Sequence, residues 1–174
     1  MVAATLGAAY AQAGRGAEAM PLLMQAMEQS TVMERVDFHA CCLLALGEVQ
    51  LLAGRLEEAQ ARTEQVLSLA RARQERGNEA YALRLLGDIA ARREPLQRDQ
   101  AEAHYHQAVA LAETLGMRPL QAHCHRGLGT LYVAAGQLEL ARPGLTTAIA
   151  LYRAMDMTFW LPETEAALAQ VEGR

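Results

Sequence analysis

The chain has 174 residues, a net charge of −4, 52 % hydrophobic residues and only 5 % aromatic ones. That content supplies a sizeable core for one domain of ordinary size, while the negative balance gives a polyanion such as DNA no general attraction. No apolar run reaches membrane-spanning length, and the start at Met1-Val2-Ala3-Ala4-Thr5 lacks the basic stretch and apolar core of a secretion signal, so neither insertion nor secretion is expected.

The first element runs from about Val2, through a turn at Ala13-Gly14-Arg15-Gly16, to Gln29. It introduces a spacing that returns three times: Leu-Gly, a second Gly seven residues after the first, and an Ala twelve residues after it. The copies are Gly7, Gly14, Ala19, then Gly47, Gly54, Ala59, and near the end Gly129, Gly136, Ala141. The third copy, at Gly87, reads Glu94-Pro95 where the turn glycine belongs, and its Ala arrives two residues late at Ala101, so the periods are 40, 40 and 42. A small or aliphatic position follows seven residues after each Ala: Ala26, Val66, Ala108 and Ala148. Seven residues is two helical turns, so both positions lie on one face. Each copy therefore reads as a helical hairpin in which a small residue admits the second helix and a Gly closes the turn.

Thr31-Val32-Met33-Glu34 has the form of a capping box, which predicts a helix from near Val32 to about Ala53. Its return helix should run from about Leu56 to Arg76 and stop at Gly77-Asn78. A helix over Glu79–Arg92 follows, then an irregular turn from Arg92 to Arg98 in which Pro95 breaks the helix. The next helix should span Asp99 to Leu115 and stop at Gly116, with Pro119 in the first turn of its successor. The fourth hairpin turns at Ala135-Gly136-Gln137 and ends near Met155. One further helix, from about Trp160 to Gln170, should cover the last apolar face, with Trp160 and Leu161 supplying area. Pro21 and Pro143 hold one register, two residues after the repeat Ala. Because Met1 falls where the first helix should already be under way, the chain is expected to be part of a larger protein.

These residues resemble the tetratricopeptide repeat (TPR): the Leu-Gly, the residue three later (Tyr10, Gln50, Ala90, Tyr132) and the two small positions match from about Leu6 to Met155. The period exceeds the family's usual length of about 34 residues and the repeat-end proline is missing, which longer helices explain. The resemblance implies an all-α solenoid within a single domain, 1–174. It would hold four hairpins, at about 2–30, 32–76, 78–115 and 118–155, and a capping helix at about 159–171, wound into a right-handed superhelix. From Leu115 to Trp160 the wording is narrower. Leu115-Gly116-Met117-Arg118-Pro119-Leu120, His123-Cys124-His125 and Tyr152-Arg153-Ala154-Met155-Asp156-Met157 resemble the C-terminal TPR ends of large bacterial signalling proteins. In those proteins the array follows a class III nucleotide-cyclase domain and an AAA-type ATPase domain. Neither catalytic domain lies in these residues, so neither activity is carried onto any of them.

Candidate chemistry is sparse. His104-Tyr105-His106 and His123-Cys124-His125 invite a metal, yet residues two apart on a helix point to different sides, and chelation along a helix needs a spacing of three or four. Cys41, Cys42 and Cys124 have no acid–base pair at a recognisable spacing, and their odd number suits a reduced, cytoplasmic protein. All sixteen basic residues are Arg, which hints at a GC-rich bacterial genome. Arg71, Arg73 and Arg76 are the densest basic run, but Glu64, Glu75 and Glu79 accompany them, as on a solvated helix face. No catalytic, cofactor-binding or metal residue is expected, and the chain is read as a non-enzyme.

The family's register implies a concave groove for a protein or peptide. Its candidate lining is Leu44, Glu48 and Leu51, then Tyr81, Arg84, Asp88 and Arg92, then His123, Arg126 and Thr130. Arg84, Asp88 and Arg92 stand four apart and should pair along one helix. Arg126 has Ala122 and Thr130 at the same spacing, hence no acidic partner four residues away, and is the guanidinium expected to take a ligand carboxylate. The expected function is a protein–protein interaction scaffold. The alternative is a regulatory or structural module that packs on catalytic domains of its parent chain, or pairs with a second copy through exposed end helices.

Overall fold

Runs of Ala, Leu, Glu, Gln and Arg, all good helix formers, separated by short turns, give an all-α fold. The computed structural model describes the backbone of residues 6–7, 9–10, 15–32 and 36–173, with side chains outside 29–38. After helical backbone at Leu6, Gly7, Ala9 and Tyr10 come α1 (Gly16–Val32), α2 (Val36–Leu52), α3 (Leu56–Arg73) and α4 (Arg76–Ala91). These are followed by α5 (Arg98–Thr114), α6 (Arg118–Ala134), α7 (Leu138–Ala154), a 3-10 turn (Thr158–Trp160) and α8 (Leu161–Glu172). Among the described residues there is no strand, and no helix is long and apolar enough to cross a membrane. Gly14 and most of the first turn lie outside the described residues, as do Met33 and Glu34 of the expected capping box; Thr31 and Val32 belong to the end of α1.

Five turns share one construction. Gly54, Gln74, Gly116, Gly136 and Asp156 have φ of 74, 58, 67, 72 and 55°. In each, the next residue's N–H reaches back to a carbonyl five residues earlier: Arg55 to Gln50 (2.9 Å), Glu75 to Ala70 (2.9 Å), Met117 to Ala112 (2.8 Å), Gln137 to Tyr132 (2.8 Å) and Met157 to Tyr152 (3.0 Å). A left-handed residue followed by this long bond satisfies the last helical carbonyls and turns the chain sharply. The expected stop at Gly77-Asn78 is corrected here: α3 ends at Arg73, Gln74 makes the turn, and Gly77 lies in the first turn of α4. The repeat explains it, since Gln74 stands 42 residues before Gly116, at the equivalent position. The longer turn after α4 contains Pro95, as its sequence requires.

Backbone packing divides the chain into two units, Met1–Ile89 and Ala90–Arg174. In the first, α2 packs on α1 and α3, and Leu43, Leu44, Leu51, Ala59, Val66, Ala82, Leu85, Leu86 and Ile89 share one core. In the second, α6 lies between α5 and α7, and α8 packs on α7. Ala122, Ala148 and Tyr152 form a core there, against which Leu151, Met155, Met157, Trp160 and Leu161 pack.

The recurring small positions do what their spacing predicts. Ala19, Ala59, Ala101 and Ala141 are 0 % exposed, and Ala26, Val66, Ala108 and Ala148 no more than 1 %. The opposing helix approaches closely: a Cβ on Gly7 would stand 2.7 Å from Leu23 Cγ, and one on Gly129 2.6 Å from Leu145 Cγ. In α7, Gly144 lies so near α6 that its Cβ would meet the His125 carbonyl oxygen at 3.0 Å, which explains glycine in the body of that helix. Pro21 and Pro143 sit inside α1 and α7 at matching places, five residues after each helix begins.

Candidate functional site

In the first unit the expected surface residues divide into two groups. Leu44 (9 % exposed) and Leu51 (5 %) belong to the core, so they are corrected from lining to packing residues. The cause lies in α2 itself, which is apolar on almost every side: Ala40, Cys42, Leu43, Ala45, Leu46 and Val49 are buried as well. Periodicity cannot choose an outward face on such a helix. Glu48, Arg84 and Asp88 do come together, and Tyr81 stands three residues before Arg84 on α4. The Arg84 guanidinium on α4 binds Glu48 of α2 through Nη2 and Asp88, one turn along α4, through Nη1 at 2.6 Å. All three side chains are a quarter exposed or less, so this network is shielded enough to hold its geometry. Beside it, Tyr81 is 40 % exposed and the Cys41 thiol faces Asn78 Oδ1 at 3.9 Å. Arg92 is exposed just beyond the end of α4.

In the second unit, His123, Arg126 and Thr130 lie along α6 at spacings of three and four. Thr130 turns its hydroxyl back to the carbonyls of Arg126 (3.1 Å) and Gly127 (3.0 Å), a use internal to the helix. His123 Nδ1 is 2.7 Å from the buried Tyr152 hydroxyl, and its ring meets Trp160 edge-on at 5.0 Å. The expectation that Arg126 lacks an acidic partner is corrected: its Nη1 donates to Glu163 Oε2 of α8 at 3.1 Å, and its guanidinium lies 4.8 Å from the Trp160 ring centre. The partner is 37 residues away, beyond the reach of a helix-spacing rule. Phe159, 65 % exposed, completes this cluster by meeting Trp160 edge-on at 4.9 Å. Sequence reasoning assigned Trp160 to packing alone and missed Phe159 and Glu163. Adjacent aromatics in a chain with so few of them were the available signal.

A third polar group lies where α5 meets α6. Tyr132 is buried and hydrogen-bonds Glu102; burial first, then that carboxylate, push its hydroxyl up to about 12. Arg98 and His106 flank Glu102 on α5, at 3.8 and 3.7 Å. Half-buried His125 on α6 is held below the ordinary histidine range by loss of water, with Glu113 opposing the shift and His106 adding to it.

The basic run at Arg71 behaves as a solvated face, with Arg71 Nε pairing Glu79 at 2.8 Å. Cys42 and Cys124 are buried thiols; burial raises the Cys42 pKa, away from the reactive thiolate. Among the described residues no group of three His, Cys, Asp or Glu side chains could hold a metal ion. His104 and His106 flank the buried Tyr105, and His123 and His125 the buried Cys124, so each pair straddles a helix without converging. Comparison with protein-family models and with curated protein sequences finds no match.

Proposed function

We propose that this chain is a protein–protein interaction module of the TPR type, four hairpins and a capping helix, belonging to a cytoplasmic bacterial signalling protein. The observation that carries the reading is the Glu48–Arg84–Asp88 network with exposed Tyr81 at its side. A guanidinium that ties two helices together fixes the polar groups before any partner arrives. An aromatic ring on such a surface contributes contact area at little entropic cost. Repeat arrays offer surfaces of this kind along their first helices, and here α2 and α4 are first helices of their hairpins. The chain is read as a non-enzyme.

The test is selection of peptides from a random display library on the intact chain, followed by binding measurements with variants. Binding should fall about tenfold or more with Tyr81→Ala and stay unchanged with Gln60→Ala on α3. Selected peptides indifferent to both changes would remove this reading. A second reading, packing on other domains of a longer chain or pairing with another copy, draws on apolar side chains left exposed outside this network, Met24 (54 %) on α1 and Leu52 (48 %) closing α2. Sedimentation that shows a concentration-dependent dimer dissolved by Met24→Glu would favour it.

A further inference from the structure

The Arg126–Trp160–Phe159 cluster of the second unit differs in kind from the Arg84 network, because its cation is only lightly held. Arg126 makes one bond to Glu163, whose side chain is 74 % exposed, and among the described residues its Nε and Nη2 meet no acceptor. One face of the guanidinium is covered by the Trp160 ring. A carboxylate is best bound by a guanidinium through two parallel bonds, and stacking on an aromatic ring leaves that edge available. Phe159 adds an exposed ring that meets Trp160 edge-on, 4.9 Å between ring centres. The surface therefore offers a cation with unused donors beside an apolar plate. What it complements is a carboxylate flanked by an apolar side chain.

Glu163 is already such a carboxylate, supplied by the chain itself through a single bond. We infer that Arg126, Trp160 and Phe159 form a docking surface for a short acidic segment of another protein in which carboxylate and apolar side chains alternate, and that Glu163 is a built-in competitor it must displace. This rests on the reading of the chain as an interaction module and names one of its surfaces and the chemistry of its partner. The internal pair is weak, as exposed ion pairs are, yet it is tethered and so competes at a fixed effective concentration. Removing it should raise affinity about two- to fivefold, the gain corresponding to one exposed pair. Arg153 of α7 binds Glu165 at 2.6 Å in the same way, so the start of α8 stays fastened when Glu163 lets go.

The chain carries a reporter for the test, since Trp160 is its only tryptophan. Two capped peptides are titrated in parallel, Leu-Glu-Phe-Glu-Leu and its twin Leu-Gln-Phe-Gln-Leu, following Trp160 fluorescence and amide shifts in α6 and α8. The acidic peptide should give a saturable response in the low millimolar range and the amide twin none. Glu163→Gln should tighten the acidic peptide two- to fivefold, a gain that misfolding cannot produce, and Arg126→Gln should abolish the response with an unchanged circular dichroism spectrum. The inference is overturned by equal binding of both peptides, by no saturable response, or by Glu163→Gln leaving affinity unchanged. A dimer that Phe159→Ala dissolves would overturn it too, by making a second copy the occupant. Library peptides that depend on Tyr81 while Trp160 stays silent would sink this inference and leave the interaction module standing.

Discussion

At the scale of single residues, packing is set by volumes traded across helices. The residue four after the repeat Ala is Leu23, Thr63 and Tyr105 in successive hairpins, and the position two before the next Leu-Gly glycine is Ala45, Leu85 and Gly127. Leu23 and Ala45 share a core, Thr63 and Leu85 both close on Gly47, where an added Cβ would stand 3.2 and 3.1 Å from them, and Tyr105 lies against Gly127. Large meets small each time. A Cβ on Gly127 would fall 2.6 Å from the Tyr105 ring, which is 2 % exposed and has nowhere to go. Gly127→Ala should therefore lower stability by about 1–3 kcal/mol through overpacking, outweighing the ~1 kcal/mol that Ala adds to a helix. With Tyr105→Leu in place the same change should become favourable, and a double-mutant cycle in urea would read a coupling of at least about 1 kcal/mol. Additive costs would contradict the volume trade. His125 supplies a different kind of prediction. Its folded pKa lies below the ordinary value of about 6.5, so the unfolded chain takes up the proton more readily. Its contribution is complete above the unfolded pKa and is lost as pH falls below about 6.5 toward the folded pKa. Urea midpoints measured from pH 8 to pH 5 should drop over the acid part of that range, and His125→Gln should flatten the drop.

At the scale of elements, the turns decide where helices stop. Gln74 carries a side chain where Gly54, Gly116 and Gly136 have none, at φ 58°. A left-handed side-chain-bearing residue costs about 1–2 kcal/mol, part of which glycine returns through its freer unfolded chain. Gln74→Gly should stabilise the protein by about 0.5–1 kcal/mol, and Gly54→Gln should destabilise it by a similar amount; thermal melts that show both neutral would contradict the shared turn. This turn also marks the limit of what can be read from sequence. The helices, their return points at Gly54, Gly116 and Gly136, and the buried Ala positions were legible, because each is a local pattern of small residues. The stop at Gln74 was not, since no propensity marks a left-handed glutamine and Gly77-Asn78 offered a stronger local signal three residues later. The Arg84–Asp88 pair was legible from its spacing of four. Leu44 and Leu51 were misplaced because α2 has no polar side to orient it, and the Arg126–Glu163 pair was invisible because only tertiary packing brings α8 to α6.

At the scale of the whole molecule, the same kind of helix recurs among the described residues, from α1 to α8, in two compact units. Near-identical elements carry a hazard: a helix can dock on the wrong sibling, the characteristic failure of repetitive chains. The traded volumes act against it. If α5 docked where α3 belongs, Tyr105 would meet Leu85 and two bulky side chains would claim one space; if α3 docked in place of α5, Thr63 would face Gly127 across a void. One exchange overfills its junction and the other leaves it hollow, although the turns and the alanines would fit in both. The alanines let any second helix approach any first helix, and the residue four positions later, Thr63 in one junction and Tyr105 in another, narrows that choice. Helix pairing at these junctions is thus constrained sterically, by the fit of single side chains, in a chain whose repeats otherwise read alike.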